Sequence, residues 1–183
     1  MSQPDPKKDP KAAADAEVGG VPGTQTGLPA DQEASLPSLV KQRLIGLRAL
    51  YTTKDTSEQD RLIDAEYDPQ AIFDDNLVHV QGAPSMKVQF HALAKCFKRC
   101  SLKPTSYELS DEGTGKRLKV MNEQAYVVGG RTIGLTVETV LQMNSDGRIT
   151  KHQDTWQDSY ANWGFIKRAI GSTSSALLRM IRY

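Results

Sequence analysis

A histidine, an aspartate and a tryptophan alternate near the end of the chain, within Lys151-His152-Gln153-Asp154-Thr155-Trp156. On a β-strand, alternate residues point to the same face of the sheet. An imidazole beside a carboxylate can serve as general acid and base, with Asp154 either orienting His152 or acting directly. The same two residues can instead form a buried hydrogen-bonded pair that fixes a hairpin. The sequence leaves both interpretations open, and it leaves Trp156 as pocket wall, core residue or stacking platform.

The preceding strand indicates which face carries this triplet. Asp146-Gly147 favours a two-residue turn, which would pair Leu141 with His152, Thr139 with Asp154 and Val137 with Trp156. A four-residue loop from 144 to 147 shifts these partners but keeps the same residues on each face, whereas a bulged three-residue loop would not. The triplet therefore shares the more apolar face. A carboxylate there needs a partner or water, and His152 is the nearest candidate.

Helices precede most of the strands in the predicted order of elements. Apolar spacing predicts helices over 37–52, 57–67 and 86–99, with an extra helical turn at 71–73. Alternation and turn residues predict strands over 77–81, 105–110, 116–128, 131–143 and 148–157. Grouped strands of this kind indicate an α+β fold rather than parallel βαβ units.

The two ends of the chain differ from its middle in composition. Residues 1–35 hold most of the nine prolines and few large apolar side chains, which predicts a disordered tail before a domain over 36–158. Residues 159–183 combine apolar and basic side chains and form an amphipathic C-terminal extension. That extension either packs at a cavity mouth or a dimer contact, or lies on an anionic membrane surface.

Composition excludes several classes of function. A formal net charge of +1 gives no general attraction to nucleic acid. No apolar run reaches the roughly 20 residues of a membrane span, and no signal or transit peptide is recognised, so the prediction is a cytoplasmic protein. Cys96 and Cys100, four apart on a predicted helix, are expected to be reduced thiols and are too few for a zinc site. We therefore expect no metal and no organic cofactor.

Three features follow one another along the chain: the run Tyr67-Asp68-Pro69-Gln70-Ala71-Ile72-Phe73-Asp74-Asp75, the helix with Phe90, Leu93 and Phe97, and the hairpin from Val137 to Trp156. This order of features resembles the nuclear transport factor 2-like (NTF2-like), or SnoaL-like, superfamily. It implies helices packed on a strongly curved, mostly antiparallel sheet that encloses a cavity. Superfamily members include isomerases, dehydratases, epoxide hydrolases and polyketide cyclases, as well as proteins without known activity.

Three functions follow from this resemblance as expectations. The first is binding of a small apolar molecule in the cavity. The second is a cofactor-independent isomerase, dehydratase or cyclase with His152 and Asp154 as its acid–base pair. The third is a protein- or membrane-interaction module that uses 159–183, and a homodimer is compatible with any of them. Expected ligand-binding residues are Phe73, Tyr126, Val137, Leu141 and Trp156, and further polar candidates near the cavity are Tyr67, His79 and Arg131.

Overall fold

A six-stranded sheet with helices against one of its faces makes up the part of the chain that the computed structural model describes, residues 26–157. The elements are α1 (Ala30–Glu33), α2 (Ser38–Thr52), α3 (Thr56–Glu66), β1 (Tyr67–Asp74), β2 (His79–Gln81), α4 (Ala83–Cys96), β3 (Arg99–Glu112), β4 (Gly115–Val128), β5 (Arg131–Met143) and β6 (Ile149–Trp156). The extension predicted over 159–183 and most of the tail predicted over 1–35 lie outside the described residues.

The sheet has the strand order β2-β1-β6-β5-β4-β3. Only the β1–β6 pair is parallel among these strands, and the other neighbours are antiparallel. The predicted α+β class with a mostly antiparallel sheet is therefore confirmed. Strand β6, which carries the histidine and aspartate, is paired on both sides, so its side chains lie in the middle of the sheet.

The helices cover what we call the inner face of the sheet, the face that carries Val137, His152 and Asp154. Helix α2 contributes Val40, Leu44, Leu47 and Tyr51 at four-, three- and four-residue intervals, and all four are buried. This is the helical periodicity that the sequence shows, and it gives α2 one continuous apolar stripe. Phe90 of α4 is fully buried and contacts Phe73 of β1, with ring centroids 5.2 Å apart.

Strand β1 corrects one prediction, because residues 71–73 form part of a strand rather than a helical turn. Ala71 and Phe73 are buried while Ile72 between them is half-buried, which is the two-residue period of a strand. Three residues were too few to separate this pattern from a helical turn. The parallel pairing of Phe73 with His152 supplies the tertiary contact that decides the conformation.

Helix α4 also differs from its predicted bounds. It begins at Ala83, with Pro84 in its first turn, rather than at 86, and it ends at Cys96 rather than 99. The expectation that Cys96 and Cys100 lie on one helix is wrong, because Cys100 belongs to β3. Neither cysteine forms a disulfide. At α3, Asp55 caps the helix, since its side chain accepts a hydrogen bond from the Ser57 amide.

The final hairpin has the register that places the triplet as predicted. Val137 pairs with Trp156, Thr139 with Asp154 and Leu141 with His152. The pairing register then shifts between Gln142 and Met143, next to the turn, so that Met143 pairs with Ile149. A second irregularity lies in β3 between Pro104 and Ser106, opposite Asn122 and Met121 of β4. Proline within a strand is usually found at such bulges, because it cannot donate to the ladder.

A buried ion pair ties α2 to the end of α3 and to the last turn. The Arg43 guanidinium lies 3.0 Å from the Glu66 carboxylate and donates a 2.6 Å hydrogen bond to the Gly147 carbonyl. Burial raises the pKa of Glu66, although the charge of Arg43 opposes this. The absence of a side chain at Gly46 makes room, since a Cβ there would lie 2.5 Å from the Glu66 carboxylate oxygens.

Candidate functional site on the inner face

His152 is enclosed by aromatic side chains from three other elements. It has no exposed surface. Its ring lies nearly perpendicular to that of Phe73, with centroids 5.1 Å apart, and parallel within 19° to that of Tyr67. Its Nδ1 is 2.8 Å from the Tyr67 hydroxyl. The imidazole is therefore held on one side by a phenol from the start of β1.

Asp154 joins the helices to the sheet through both of its carboxylate oxygens. Oδ2 accepts a short hydrogen bond from the Tyr51 hydroxyl of α2. Oδ1 accepts a 2.6 Å hydrogen bond from the Thr139 hydroxyl on the neighbouring strand. His152 Nε2 lies 3.3 Å from Oδ1, close enough for an ion pair but not aimed as a hydrogen bond. We call His152, Asp154, Tyr51, Tyr67 and Thr139 the polar network.

Electrostatics keeps Asp154 ionised and the two phenols neutral. Burial acts to raise the pKa of Asp154, but the charge of His152 and the hydrogen bonds of Thr139 and Tyr51 outweigh it, so the pKa is lowered. Burial, and after it the charge of Asp154, raises the pKa of Tyr51 well above its usual value. Burial likewise raises the pKa of Tyr67. Tyr51 therefore acts as a donor to a carboxylate, which is the stronger kind of hydrogen bond.

Two amide side chains of β4 extend the polar surface beyond this network. Asn122 Nδ2 donates a 2.9 Å hydrogen bond to Thr139 Oγ1. Gln124, two residues along the same face, accepts a short hydrogen bond from the Tyr126 hydroxyl. Asn122 Oδ1 and Gln124 Nε2 are buried and have no hydrogen-bond partner among residues 26–157. We call Asn122 and Gln124 the amide pair.

Asp75 is a second carboxyl close to the polar network. It follows β1, and its Oδ1 accepts hydrogen bonds of 2.7 Å from the Leu77 and Val78 amides. Burial, reinforced by the charge of Asp154, raises the pKa of Asp75 to about 6, against the two backbone hydrogen bonds. Next to it, Asn76 accepts a 3.0 Å hydrogen bond from the Trp156 amide and so ties the end of β6 to this loop. A carboxyl that titrates near neutrality is suited to proton transfer.

The five predicted ligand-binding residues lie on the inner face, with different exposure. Phe73, Val137 and Leu141 are fully buried core residues. Tyr126 is 7% exposed and its ring contacts Phe97, with centroids 4.7 Å apart. Trp156 is half-buried and packs on the core. Phe97 and Trp156, which are partly exposed, thus form the accessible margin, the buried Tyr126 ring lies against Phe97, and the other three form the base.

The remaining polar candidates are not all brought to the network. Tyr67 contacts His152 directly. His79 is exposed and lies 3.5 Å from Asp74 at the edge of the sheet. Arg131 is exposed at the start of β5. Within residues 26–157, no group of three or more His, Cys, Asp or Glu side chains is arranged to hold a metal ion, and no helix is long and apolar enough to cross a membrane.

Sequence reasoning missed Tyr51, Thr139 and the amide pair as members of the site, and it missed Asp75. Thr139 had a usable signal, because the predicted register already placed it opposite Asp154. Tyr51 had none, since a tyrosine on an apolar helix stripe looks like any core residue. Asn122 and Gln124 carried a weak signal, as two amides that alternate within a strand otherwise rich in apolar residues on that face.

Solved structures share this fold at low sequence identity. An NTF2-like protein of unknown function from Exiguobacterium sp. 255-15 aligns with a TM-score of 0.52 at 15% identity, covering 63% of this chain and 98% of that one. A candidate SnoaL-like polyketide cyclase from Shewanella putrefaciens CN-32 aligns with 0.53 at 12% identity, covering 67% and 82%. AusH from Aspergillus nidulans aligns with 0.51 at 12% identity, covering 63% and 81%.

These similarities define the class of protein by its fold. The chain has the NTF2-like, or SnoaL-like, fold, as the resemblance predicted. No protein-family model matches the sequence, and no curated protein matches it. Because one fold of this kind hosts several activities, function has to be argued from the site.

Proposed function

We propose that this protein binds a small, mainly apolar molecule on the inner face of the sheet, beside Trp156, Tyr126 and Phe97. The observation that carries the proposal is the composition of this face. Buried aliphatic and aromatic side chains surround a few convergent polar groups, which is the usual make-up of a small-molecule site. The partly exposed Phe97 and Trp156 provide the side from which a ligand would enter.

The state of the polar network favours binding over catalysis. Both oxygens of Asp154 accept from protein hydroxyls, and His152 Nδ1 faces the Tyr67 hydroxyl, whereas His152 Nε2 lies 3.3 Å from Asp154 without a hydrogen-bond partner among residues 26–157. Groups bonded to one another hold a pocket in shape, whereas a catalytic base needs a lone pair free for substrate. In this proposal His152 and Asp154 fix the floor of the site, and the margin contacts the ligand.

A fluorescent apolar probe, 1-aminoanthracene, tests the proposal. The wild-type protein is expected to bind it, and Tyr126→Trp is expected to weaken binding about tenfold or more by placing a larger ring against Phe97. Tyr107→Trp is the matched control, because Tyr107 is a half-buried tyrosine on the neighbouring strand β3. The proposal fails if the wild type does not bind the probe, or if both variants bind it equally well while both remain folded by circular dichroism.

A second candidate function is cofactor-independent acid–base catalysis of the isomerase, dehydratase or cyclase type. Asp75 favours it, since a carboxyl with a pKa of about 6 lies within electrostatic reach of Asp154 and His152. The three would form a set in which Asp75 exchanges the proton and the buried pair stabilises charge.

The ring opening of 5-nitrobenzisoxazole by proton abstraction measures such a base without knowledge of the natural substrate. Wild-type protein should exceed an equal concentration of acetate, and Asp75→Asn should abolish the excess. Asp74→Asn, one residue away at the end of β1, is the matched control. Equal rates for wild type and Asp75→Asn would exclude Asp75 as the base.

A further inference from the structure

The amide pair carries information about the ligand that the polar network does not. Asn122 is 0% exposed and Gln124 is 2% exposed, and both point from β4 to the inner face. Their backbones lie about 7 Å apart, two residues along one strand. One buried acceptor and one buried donor without partners are therefore neighbours on the floor of the proposed site.

The orientation of Asn122 is fixed by its neighbours. Thr139 donates its only hydroxyl hydrogen to Asp154, so its oxygen can only accept. The Asn122 group that faces Thr139 must then be the NH₂, which also lies 3.4 Å from the Val120 carbonyl. Oδ1 consequently points away from the network and is left as an acceptor without a donor among residues 26–157.

Gln124 has the complementary deficit. The Tyr126 hydroxyl donates to its Oε1. Burial raises the pKa of Tyr126 well above its usual value, so this hydroxyl keeps its proton and remains a donor. The Gln124 NH₂ then has no acceptor within the described part of the chain. Unpaired buried polar groups are unfavourable, and a molecule that pairs both would be selected over an analogue that pairs one.

We propose that the ligand carries an N–H and a C=O on adjacent atoms, as a lactam or another neutral amide does. The ligand C=O accepts from Gln124 Nε2, and the ligand N–H donates to Asn122 Oδ1. A carboxylate fits poorly, because it has no hydrogen to donate to Asn122 and because ionised Asp154 is bonded to Thr139, the partner of Asn122. The assignment rests on the proposed binding function and names its ligand class.

Three compounds of one shape test this class: the lactam 3,4-dihydroquinolin-2(1H)-one, its N-methyl derivative, and the lactone 3,4-dihydrocoumarin. Titration calorimetry of the full chain should show the lactam binding about tenfold or more tightly than the other two, since only it supplies the N–H. Asn122→Leu should remove this preference. Gln124→Met should weaken the lactam and the lactone alike while the variant stays folded by circular dichroism.

Glu123→Gln on the opposite face of β4 is the matched control and should change none of these affinities. If Asn122→Leu does not fold, Gln124→Met alone still decides whether the carbonyl contact exists. Equal binding of lactam and lactone by the wild type, or no binding of either while 1-aminoanthracene binds, overturns the ligand class but not the proposed function. Failure of the wild type to bind 1-aminoanthracene as well removes the proposed function itself.

Discussion

Replacing Tyr51 by phenylalanine removes one buried hydrogen bond between α2 and β6 and leaves the aromatic packing in place. The Tyr51 ring still meets Phe90 edge-on at 5.3 Å, so no cavity forms. The lost bond has a carboxylate as its acceptor, and such bonds contribute about 1.5–3 kcal/mol. We expect the free energy of unfolding to fall by about 2 kcal/mol, which corresponds to roughly 6–10 °C in Tm for a domain of this size.

The pH dependence of this loss follows from Asp154. Its pKa is lowered in the folded protein, so the stability that ionised Asp154 contributes is fully present above its unfolded pKa of about 3.9 and is lost as the pH falls through the folded pKa. Tyr51 donates one of the hydrogen bonds that lower this pKa. The difference in free energy of unfolding between wild type and Tyr51→Phe should therefore have its largest value at pH 7 and should decrease below about pH 4.

Urea denaturation followed by circular dichroism at pH 7 and pH 3.5 measures both effects. Tyr107→Phe serves as the control, because the Tyr107 hydroxyl makes no hydrogen bond within residues 26–157, and the substitution should change stability by less than about 0.5 kcal/mol. Tyr67→Phe, which removes the partner of His152 Nδ1, should cost about 1 kcal/mol. A loss in Tyr51→Phe no larger than that in Tyr107→Phe would refute the description of Asp154 as a carboxylate held by the helix.

Three further substitutions test other parts of the structure. In Gly115→Ala, the new Cβ would lie 1.8 Å from the Met143 carbonyl oxygen, so the backbone must shift, and we expect the free energy of unfolding in urea to fall by about 3 kcal/mol. Gly113→Ala is the control: its φ is +58° but nothing lies within 4 Å of the new Cβ, so the fall should be about 1 kcal/mol. Arg43→Met leaves Glu66 buried without its ion-pair partner and should cost about 3–5 kcal/mol, most of it recovered in the double variant Arg43→Met/Glu66→Leu; no recovery would contradict the assignment. The pKa of Asp75 is raised to about 6, so the folded state holds a proton that the unfolded state releases, and stability falls as the pH rises from the unfolded pKa towards 6. Asp75→Asn keeps both backbone hydrogen bonds and should make Tm depend less on pH between pH 4 and 7; an unchanged dependence of Tm on pH would contradict the raised pKa.

The closing hairpin is the part of the site that the sequence predicts best. Its turn chemistry and its two-residue period were enough to predict that His152, Asp154 and Trp156 share the apolar face, because register and face are local properties of two adjacent strands. The predicted pairing of Thr139 with Asp154 even contained one member of the polar network. What remained a prediction is the role of the pair, since the sequence alone gives the same pattern for a catalytic dyad and for a structural one.

The parts that could not be predicted depend on contacts between distant segments. Tyr51 contacts Asp154 only because α2 packs on the inner face over β6, and no local sequence pattern predicts that packing. The sequence predicts a helical turn within β1 because the strand conformation there depends on parallel pairing with β6, the last strand described. The raised pKa of Asp75 depends in part on the charge of Asp154, which lies far along the chain.

The parallel pairing of β1 with β6 has a consequence for synthesis of the protein. The first long strand cannot acquire its central neighbour until residues 149–156 have emerged from the ribosome, and the hydrogen bonds of the polar network join residues 85 and 103 positions apart. Until then, Phe73, Tyr67 and the buried face of α2 lack the strand that completes their core. Contacts so far apart in sequence slow folding and prolong exposure of apolar surface. A released chain that ends before 149 should therefore depend on holdase chaperones, whereas a released chain that includes 149–157 should not.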